Sequence, residues 1–318
     1  MNKKIVTLMM VAMMIATVSI ISCKKKVATP KATLDAQVQQ HNTDANTVKS
    51  EADQADNNIN DGLNTTSMGN RIAGVQSSPL CGVTIDTSQI SSKTVIFHFD
   101  GVTPCFSPTR LRSGTIKVQL TSGNYWHDAG AVLTETFTDF QVKIISTGKS
   151  IKINGVKTLK NVNGNNWLGF YFNNVALKYQ ERAIGVNVVF DDGSHATWNS
   201  ARTTSWNYYP PNTNPKGVQS AYIAVTGNGD TTINAHTGTE SWGVNRYNYD
   251  FVTYYQSPWV SDTYCGLWAP TSGVLVHHVN NKDYTFTAGV DTQGNASTTN
   301  CAYGFKVAWD TNTVILSY

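Results

Sequence analysis

Apolar and polar positions alternate along most of the chain after residue 80. In one early segment Val95, Phe97 and Phe99 alternate with Ile96 and His98, and later segments repeat this two-residue period. Such a period is typical of antiparallel strands that bury one face. Asp-Gly and Asn-Gly dipeptides mark turns between the segments. The pattern predicts at least ten antiparallel strands over 80–318, as one large or two packed β units. A sandwich, an open twisted sheet or a barrel would satisfy it.

A helical period precedes the β region. From Leu34 to Leu63 the stripe residues recur at spacings of three and four, which predicts a helix over 34–63. Alanine supplies a third of this stripe, so we expect a solvated helix lying lightly on the β region and holding it off a membrane. A coiled-coil contact with another chain and disorder are the alternatives. The segments 23–33 and 64–79 are predicted to be a tether and a linker.

The first 22 residues have the order of an export signal. Lys3 and Lys4 precede an uncharged apolar run, Ile5 to Ile21, which ends in Ser22-Cys23. A small residue followed by cysteine resembles a bacterial lipobox, in which the cysteine becomes the lipid-bearing first residue of the mature protein. The sequence therefore predicts a signal peptide over 1–22 and a membrane anchor at Cys23. An uncleaved anchor is the alternative, although 17 residues lie at the lower edge for a spanning helix.

The charge balance excludes one class of partner. Cleavage before Cys23 leaves 318 − 22 = 296 residues and removes two of 24 basic residues, so the net charge is 22 − 21 = +1. A near-neutral protein has no electrostatic attraction for nucleic acid. Charged residues are only 14% of the chain, whereas Thr (39) and Asn (30) are abundant. Thr favours strands and Asn favours turns, as suits a secreted β protein.

Four cysteines remain once Cys23 is set aside. An exported protein reaches a compartment where disulfides persist, and four cysteines allow three pairings. Local pairing closes the shortest loops, so it is the predicted one. A zinc site is the alternative, but no CxxC or HxxxH spacing accompanies these cysteines. The predicted pairs are Cys81–Cys105 and Cys265–Cys301.

Two segments carry a family resemblance. The first segment runs from Cys81 through Phe-Asp-Gly and Cys105 to Arg-Leu-Arg-Ser-Gly-Thr-Ile. The second segment begins at Cys265 and reads Cys-Gly-Leu-Trp-Ala-Pro-Thr-Ser-Gly-Val-Leu-Val. With the lipobox, they resemble uncharacterised β-rich lipoproteins of Bacteroidota-type bacteria. The resemblance implies a fold style and an envelope address, and it carries no activity. Surface-displayed members often have acidic residues after the lipid cysteine, whereas this chain has three lysines. We therefore expect an outer-membrane lipoprotein that faces the periplasm.

Motifs for catalysis are not found in the sequence. Thr147-Gly148-Lys149-Ser150 lacks the upstream glycine of a P-loop, because residue 143 is lysine. The adjacent histidines His277 and His278 point to opposite faces of a strand. Glu135 and Asp139 would share a strand face but lie roughly 13 Å apart, too far for a glycosidase pair. No catalytic residue, metal site or cofactor is predicted. A hydrolase with carboxylates from separate strands is our third functional hypothesis.

The aromatic residues are the most suggestive candidates for ligand binding. Trp206, Tyr208 and Tyr209 lie before Pro210-Pro211, with Trp198 shortly upstream. Two prolines end a strand ladder, so this segment is predicted to emerge as a loop. Exposed rings beside amide groups suit sugar binding; the alternative is that the rings belong to the core. We thus expect a lipid-anchored envelope protein with a structural or ligand-binding, non-enzymatic role. A carbohydrate-binding module is the runner-up, and the expected partners are a glycan or an envelope protein.

Overall fold

The structure is a computed structural model that describes residues 36–318 except 70–79, 106–108, 167–168, 171–172, 211–212, 214–219, 229–231 and 298–300. Cys23 and the predicted signal and tether therefore lie outside the described residues. The chain divides into two compact units. Unit 1 comprises the described residues within Met1–Ser50, Arg202–Ser241 and Asp250–Tyr318, and unit 2 comprises those within Glu51–Ala201 and Trp242–Tyr249. The predicted mainly β, antiparallel fold with one N-terminal helix is confirmed.

The described residues contain one long α-helix and sixteen strands. Helix α1 spans Ala36–Leu63. The strands are β1 Val83–Asp86, β2 Thr94–Asp100, β3 Arg110–Ser122, β4 Ala131–Ile144, β5 Ser150–Asn161, β6 Leu177–Phe190, β7 His195–Tyr208, β8 Ala221–Gly227, β9 Thr232–Ile233, β10 His236–Thr237, β11 Thr239–Val244, β12 Asp250–Asp262, β13 Pro270–Val279, β14 Lys282–Val290, β15 Gly304–Trp309 and β16 Asn312–Ser317.

Unit 2 is a meander of neighbouring antiparallel strands. Strands β1 to β6 pair in sequence order. Their inward positions follow the two-residue period, as Val95, Phe97 and Phe99 are buried while His98 is exposed. Gly114 shows why this sheet needs a glycine: its φ is +91°, and a Cβ there would lie 2.1 Å from the Asp139 carbonyl oxygen.

Unit 1 places its strands in a less sequential order. The second half of β7 pairs with β8, β8 pairs with β12, and β12 to β16 follow one another. A separate hairpin joins β9 to β10. All of these named pairs are antiparallel. Phe251, Tyr284 and Val307 are almost completely buried and form part of its core.

Each unit contains one disulfide that encloses an antiparallel strand pair. Cys81–Cys105 brackets β1 and β2, with Cα atoms 5.8 Å apart, and Cys265–Cys301 brackets β13 and β14, with Cα atoms 5.2 Å apart. The predicted local pairing is thus confirmed. Each loop closure stabilises the fold by roughly 3.5–4 kcal/mol in the chain-entropy account.

Helix α1 is packed into the protein, so the expectation of a solvated helix lying lightly on the β region is wrong. Its stripe is buried at both ends, with Val38 and Val48 in unit 1 and Ile59 and Leu63 in unit 2. A Cβ on Gly62 would lie 2.4 Å from the Phe97 ring. The physical reason is that the strands offer apolar and oppositely charged partners to the helix, which helical periodicity alone does not show.

The first part of the predicted linker also packs against unit 2. Thr65 and Thr66 donate hydroxyl hydrogen bonds to the carbonyls of Gly62 and Leu63, which satisfies acceptors at the helix end. Met68 is buried, and its carbonyl accepts a hydrogen bond from the Trp126 backbone amide. Residues 64–69 therefore belong to the folded unit.

Candidate functional site

The predicted aromatic loop is largely a strand. Trp206 and Tyr208 lie in β7, opposite Ile223 and Ala221 of β8. Both rings are partly buried. The loop prediction is therefore wrong for these two residues, because β8 supplies the ladder partners before the prolines end it. Of the described residues in the predicted loop, only Tyr209 and Pro210 follow the strand.

Tyr209 belongs to a small polar cluster at the end of β7. Its ring centroid lies 4.6 Å from that of Tyr222, and its side chain hydrogen-bonds to Asp262. Burial, with help from the Asp262 carboxylate, raises the pKa of Tyr209 to about 12. Asp262 also accepts a hydrogen bond from Ser220 at 2.9 Å. These contacts explain the position of Tyr209 structurally.

Trp198 does not join the other predicted aromatic residues. It lies in the part of β7 assigned to unit 2, and only 9% of it is exposed. The structure therefore places Trp198 in the core of unit 2. This agrees with the alternative interpretation of the sequence, in which the aromatic rings belong to the core. No ligand could stack on a ring that is so fully covered.

Three more exposed aromatic residues lie close in the chain to the cysteines of the second disulfide. Tyr264 is 56% exposed, Trp268 is 48% exposed and Tyr303 is 41% exposed. Tyr264 directly precedes Cys265, and Tyr303 follows two residues after Cys301, so the disulfide ties their segments together. We call Tyr264, Trp268 and Tyr303 the aromatic rim. Sequence reasoning missed this group, although an aromatic residue within two positions of each cysteine was a usable signal.

A glycine fixes the position of the central ring. Gly266 has φ +88°, which favours glycine, and a Cβ there would lie 2.4 Å from the Trp268 ring. The indole therefore packs directly on the Gly266 backbone. This gives the rim a preorganised ring next to a covalent crosslink.

Carboxylates and a lysine form a buried charge cluster in unit 2. Lys157 on β5 lies directly opposite Glu135 on β4, with Nζ 3.1 Å from Oε2, and it also pairs with Asp56 of α1. Glu135 is fully buried and Lys157 is 3% exposed. Carboxylate oxygens of Asp53, Asp56 and Glu181 lie within 4.8 Å of one another. Sequence alternation held a signal here, because Glu135 occurs at an inward position of its strand.

Lys157 supplies the positive charge of this cluster. Burial alone lowers the pKa of Lys157, but the carboxylates of Asp56, Glu135 and Glu181 outweigh it, so the net shift is upward. Burial and the Glu135 charge raise the pKa of Asp56 well above its usual value. The ammonium thus stays charged at the centre of several acids. The acidic residues of the buried charge cluster are therefore interpreted as parts of a structural ion-pair network around Lys157.

A second ion-pair group joins α1 to β3 in unit 2. Glu51 is 2% exposed and lies 2.6 Å from Arg110 and 3.8 Å from Arg112. Burial raises the pKa of Glu51 despite both guanidinium groups, and burial lowers the pKa of Arg112 to about 10. Acidic residues of the helix therefore face basic residues of the sheet.

Two buried histidines stack in unit 1. The ring centroids of His41 and His277 are 4.6 Å apart, and Phe251 lies 4.7 Å from His41. His277 Nδ1 is 2.8 Å from the Thr253 hydroxyl. Burial lowers the pKa of His41 to about 4 and that of His277 well below its usual range. Both rings are therefore neutral at physiological pH.

Comparison with known proteins finds no matching family model, no matching curated protein and no matching solved structure. Among the residues that the structure describes, no helix is both long and apolar enough to cross a membrane.

Proposed function

We propose that this protein is an exported, lipid-anchored protein of a bacterial cell envelope with a structural or ligand-binding, non-enzymatic role. One observation carries the proposal. The disulfides use Cys81, Cys105, Cys265 and Cys301, which leaves Cys23 as the one cysteine of five without a disulfide partner among them. Stable disulfides fit an oxidising compartment, and Cys23 ends the export signal, where a lipid would be attached.

The buried charge cluster supports a structural role over hydrolysis. It does bring carboxylates from α1, β4 and β6 together, as the hydrolase hypothesis required. However, Glu135 is fully buried, and Asp56 is only 13% exposed. A substrate must reach its general acid and base within hydrogen-bond distance, and these groups instead face Lys157.

The envelope address follows from the start of the mature chain. Lys24, Lys25 and Lys26 follow Cys23, whereas the lipoproteins that this chain resembles often carry acidic residues there when displayed on the surface. We therefore assign the protein to the periplasmic face of the outer membrane. Membrane fractionation combined with protease accessibility in intact cells tests this assignment.

Replacing Cys23 with serine is expected to abolish lipid attachment. The variant has no thiol to acylate, so metabolic labelling with a palmitate analogue should be lost, and the protein should leave the membrane fraction or accumulate unprocessed. Ser22→Ala keeps a small residue before the cysteine and serves as the control that retains labelling. Membrane retention of the Cys23→Ser protein with an intact signal segment would instead establish a transmembrane anchor.

Glycan binding is a second candidate function, which the aromatic rim favours. Three large rings of 41–56% exposure lie within three residues of the cysteines of one disulfide. Exposed apolar surface tends to mark contacts, and flat rings can stack on the apolar face of a sugar. The rim is a better candidate than the predicted Trp206–Tyr209 segment, whose rings are partly covered.

Substitution of Trp268 is expected to weaken glycan binding if the rim is the site. On a polysaccharide array, Trp268→Ala should lose about tenfold or more in affinity, since fully burying a large apolar side chain contributes roughly 1.5–3 kcal/mol. The double variant Trp206→Ala/Tyr208→Ala is the matched comparison and should bind like wild type. The reverse pattern would assign binding to the β7 segment, and no binding by wild type would reject this second function.

A further inference from the structure

Two histidines and an aspartate meet on the half-exposed face of β12–β14 in unit 1. His278 and Asp283 are directly paired across β13 and β14, and His278 Nδ1 lies 2.6 Å from Asp283 Oδ1. This face is opposite to the one that carries the buried His277. His278 is 36% exposed and Asp283 is 57% exposed, so dissolved ions can reach them.

The β9–β10 hairpin brings a second imidazole to the same place. His236 stacks on Tyr254 of β12, with centroids 4.2 Å apart and planes only 11° from parallel. Its centroid lies 6.2 Å from that of His278. The Tyr254 ring therefore holds His236 beside the His278–Asp283 pair, although 42 residues separate the two histidines in the sequence.

The ring separation is close to the one expected for a shared metal ion. A Zn²⁺ ion lies about 2.0–2.1 Å from a ligating imidazole nitrogen and prefers tetrahedral coordination. The ring centroid then lies roughly 3.2 Å from the ion, so two rings on one tetrahedral ion have centroids roughly 5.2 Å apart. The observed separation is 6.2 Å. Rotation of the two side chains that brings the centroids roughly 1 Å closer would let both rings bind one ion.

The aspartate orients one of the rings for coordination. A carboxylate that accepts a hydrogen bond from Nδ1–H leaves the Nε2 lone pair of the same ring free to bind a metal. The Asp283 carboxylate makes this contact with Nδ1 of His278. The same pairing of carboxylate and histidine occurs behind metal ligands in many zinc proteins, where it fixes the tautomer and raises the basicity of the ring.

We propose that His236 and His278 form a surface site for a late divalent transition metal ion such as Zn²⁺, with Asp283 as the positioning residue. Imidazole nitrogen suits Zn²⁺, Ni²⁺ and Cu²⁺, whereas Mg²⁺ and Ca²⁺ prefer oxygen ligands. Water completes the coordination, which leaves the ion open to a further ligand. This site is independent of the lipid anchor and of the aromatic rim.

Isothermal titration of Zn²⁺ into the full-length, detergent-solubilised protein without a polyhistidine tag tests the site. Wild type should bind one ion per chain, and Mg²⁺ in excess should not compete. His236→Ala and His278→Ala should each weaken binding at least tenfold. Asp283→Asn should weaken it about tenfold, as loss of a supporting carboxylate does in zinc sites. His98→Ala removes an exposed histidine of unit 2 and should bind like wild type.

Two results would overturn the proposal. One is the absence of saturable Zn²⁺ binding to the wild-type protein. The other is equal affinity of wild type and the His236→Ala/His278→Ala double variant when both show the same thermal unfolding without metal. Visible absorption of bound Co²⁺ gives a second readout, since its bands report nitrogen ligation and should disappear in the double variant.

Discussion

Replacing Lys157 with methionine should lower the free energy of unfolding by about 3–5 kcal/mol. The substitution leaves the carboxylates of Asp56 and Glu135 buried without their counter-charge. Methionine keeps the length of the aliphatic stem, so the loss reports mainly the missing ammonium group. Urea unfolding at neutral pH, followed by tryptophan fluorescence, measures the effect.

An exposed lysine on the same strand provides the control. Lys152 of β5 lies 3.6 Å from Asp139, and its side chain is 41% exposed. Lys152→Met should cost less than about 1 kcal/mol, as exposed ion pairs do. The Lys157→Met cost should also shrink at lower pH, because the uncompensated carboxylates can then be protonated. Equal effects of the two substitutions would show that the buried cluster contributes no special stability.

The strands and disulfides were predictable because their signals are local. Alternation in β2 and β3 correctly separates buried from exposed positions, as the burial of Phe97 and exposure of His98 show. The disulfide pairing could be predicted from loop length, since each disulfide encloses a single pair of neighbouring strands. Both the two-residue period and a short loop depend only on residues that are close in the chain, so they can be recognised from the sequence alone.

The environment of the helix could not be predicted in the same way. Periodicity placed α1 correctly, but its burial depends on partners far away in the chain. Asp56 pairs with Lys157, 101 residues later, and His41 stacks on His277. A helix stripe that contains many alanine and polar residues resembles a solvated face until these partners are known. The stripe of α1 is only weakly hydrophobic because several of its buried contacts with the strands are made by charged and polar side chains.

The candidate sites show the same limit. The Pro210-Pro211 signal located the end of β7 to within two residues, but it could not show that β8 pairs with Trp206 and Tyr208. His278 and Asp283 lie five residues apart in the sequence, and their contact requires the tight β13–β14 connection. His236 reaches them only through the packing of a separate hairpin.

The buried histidines of unit 1 should make the stability of the protein sensitive to acid. His41 has a pKa of about 4 in the folded state because of burial, whereas an unfolded chain has the ordinary value of about 6.5. Between these values the unfolded state holds more protons than the folded state. The stabilisation that goes with the buried, neutral His41 ring is therefore complete above about pH 6.5 and is lost as the pH falls towards about 4.

The substitution His41→Leu should remove this part of the pH dependence. From about pH 7.5 to about pH 4.5, wild type should lose roughly 2–3 kcal/mol relative to the variant, since each pH unit below 6.5 costs about 1.4 kcal/mol. Subtracting the two unfolding curves cancels the contributions of groups that titrate alike in both proteins. Denaturant unfolding at a series of pH values provides the measurement.

An exposed histidine is the matched control for this experiment. His98 is exposed in the folded state, so His98→Leu makes the same substitution without removing a buried ring, and its unfolding curves are compared with those of His41→Leu. Parallel curves for wild type and His41→Leu would contradict the prediction. Because His277 stacks on His41 and is also held neutral by burial, wild type should lose more stability in acid than one buried histidine accounts for, and His41→Leu should retain the His277 share.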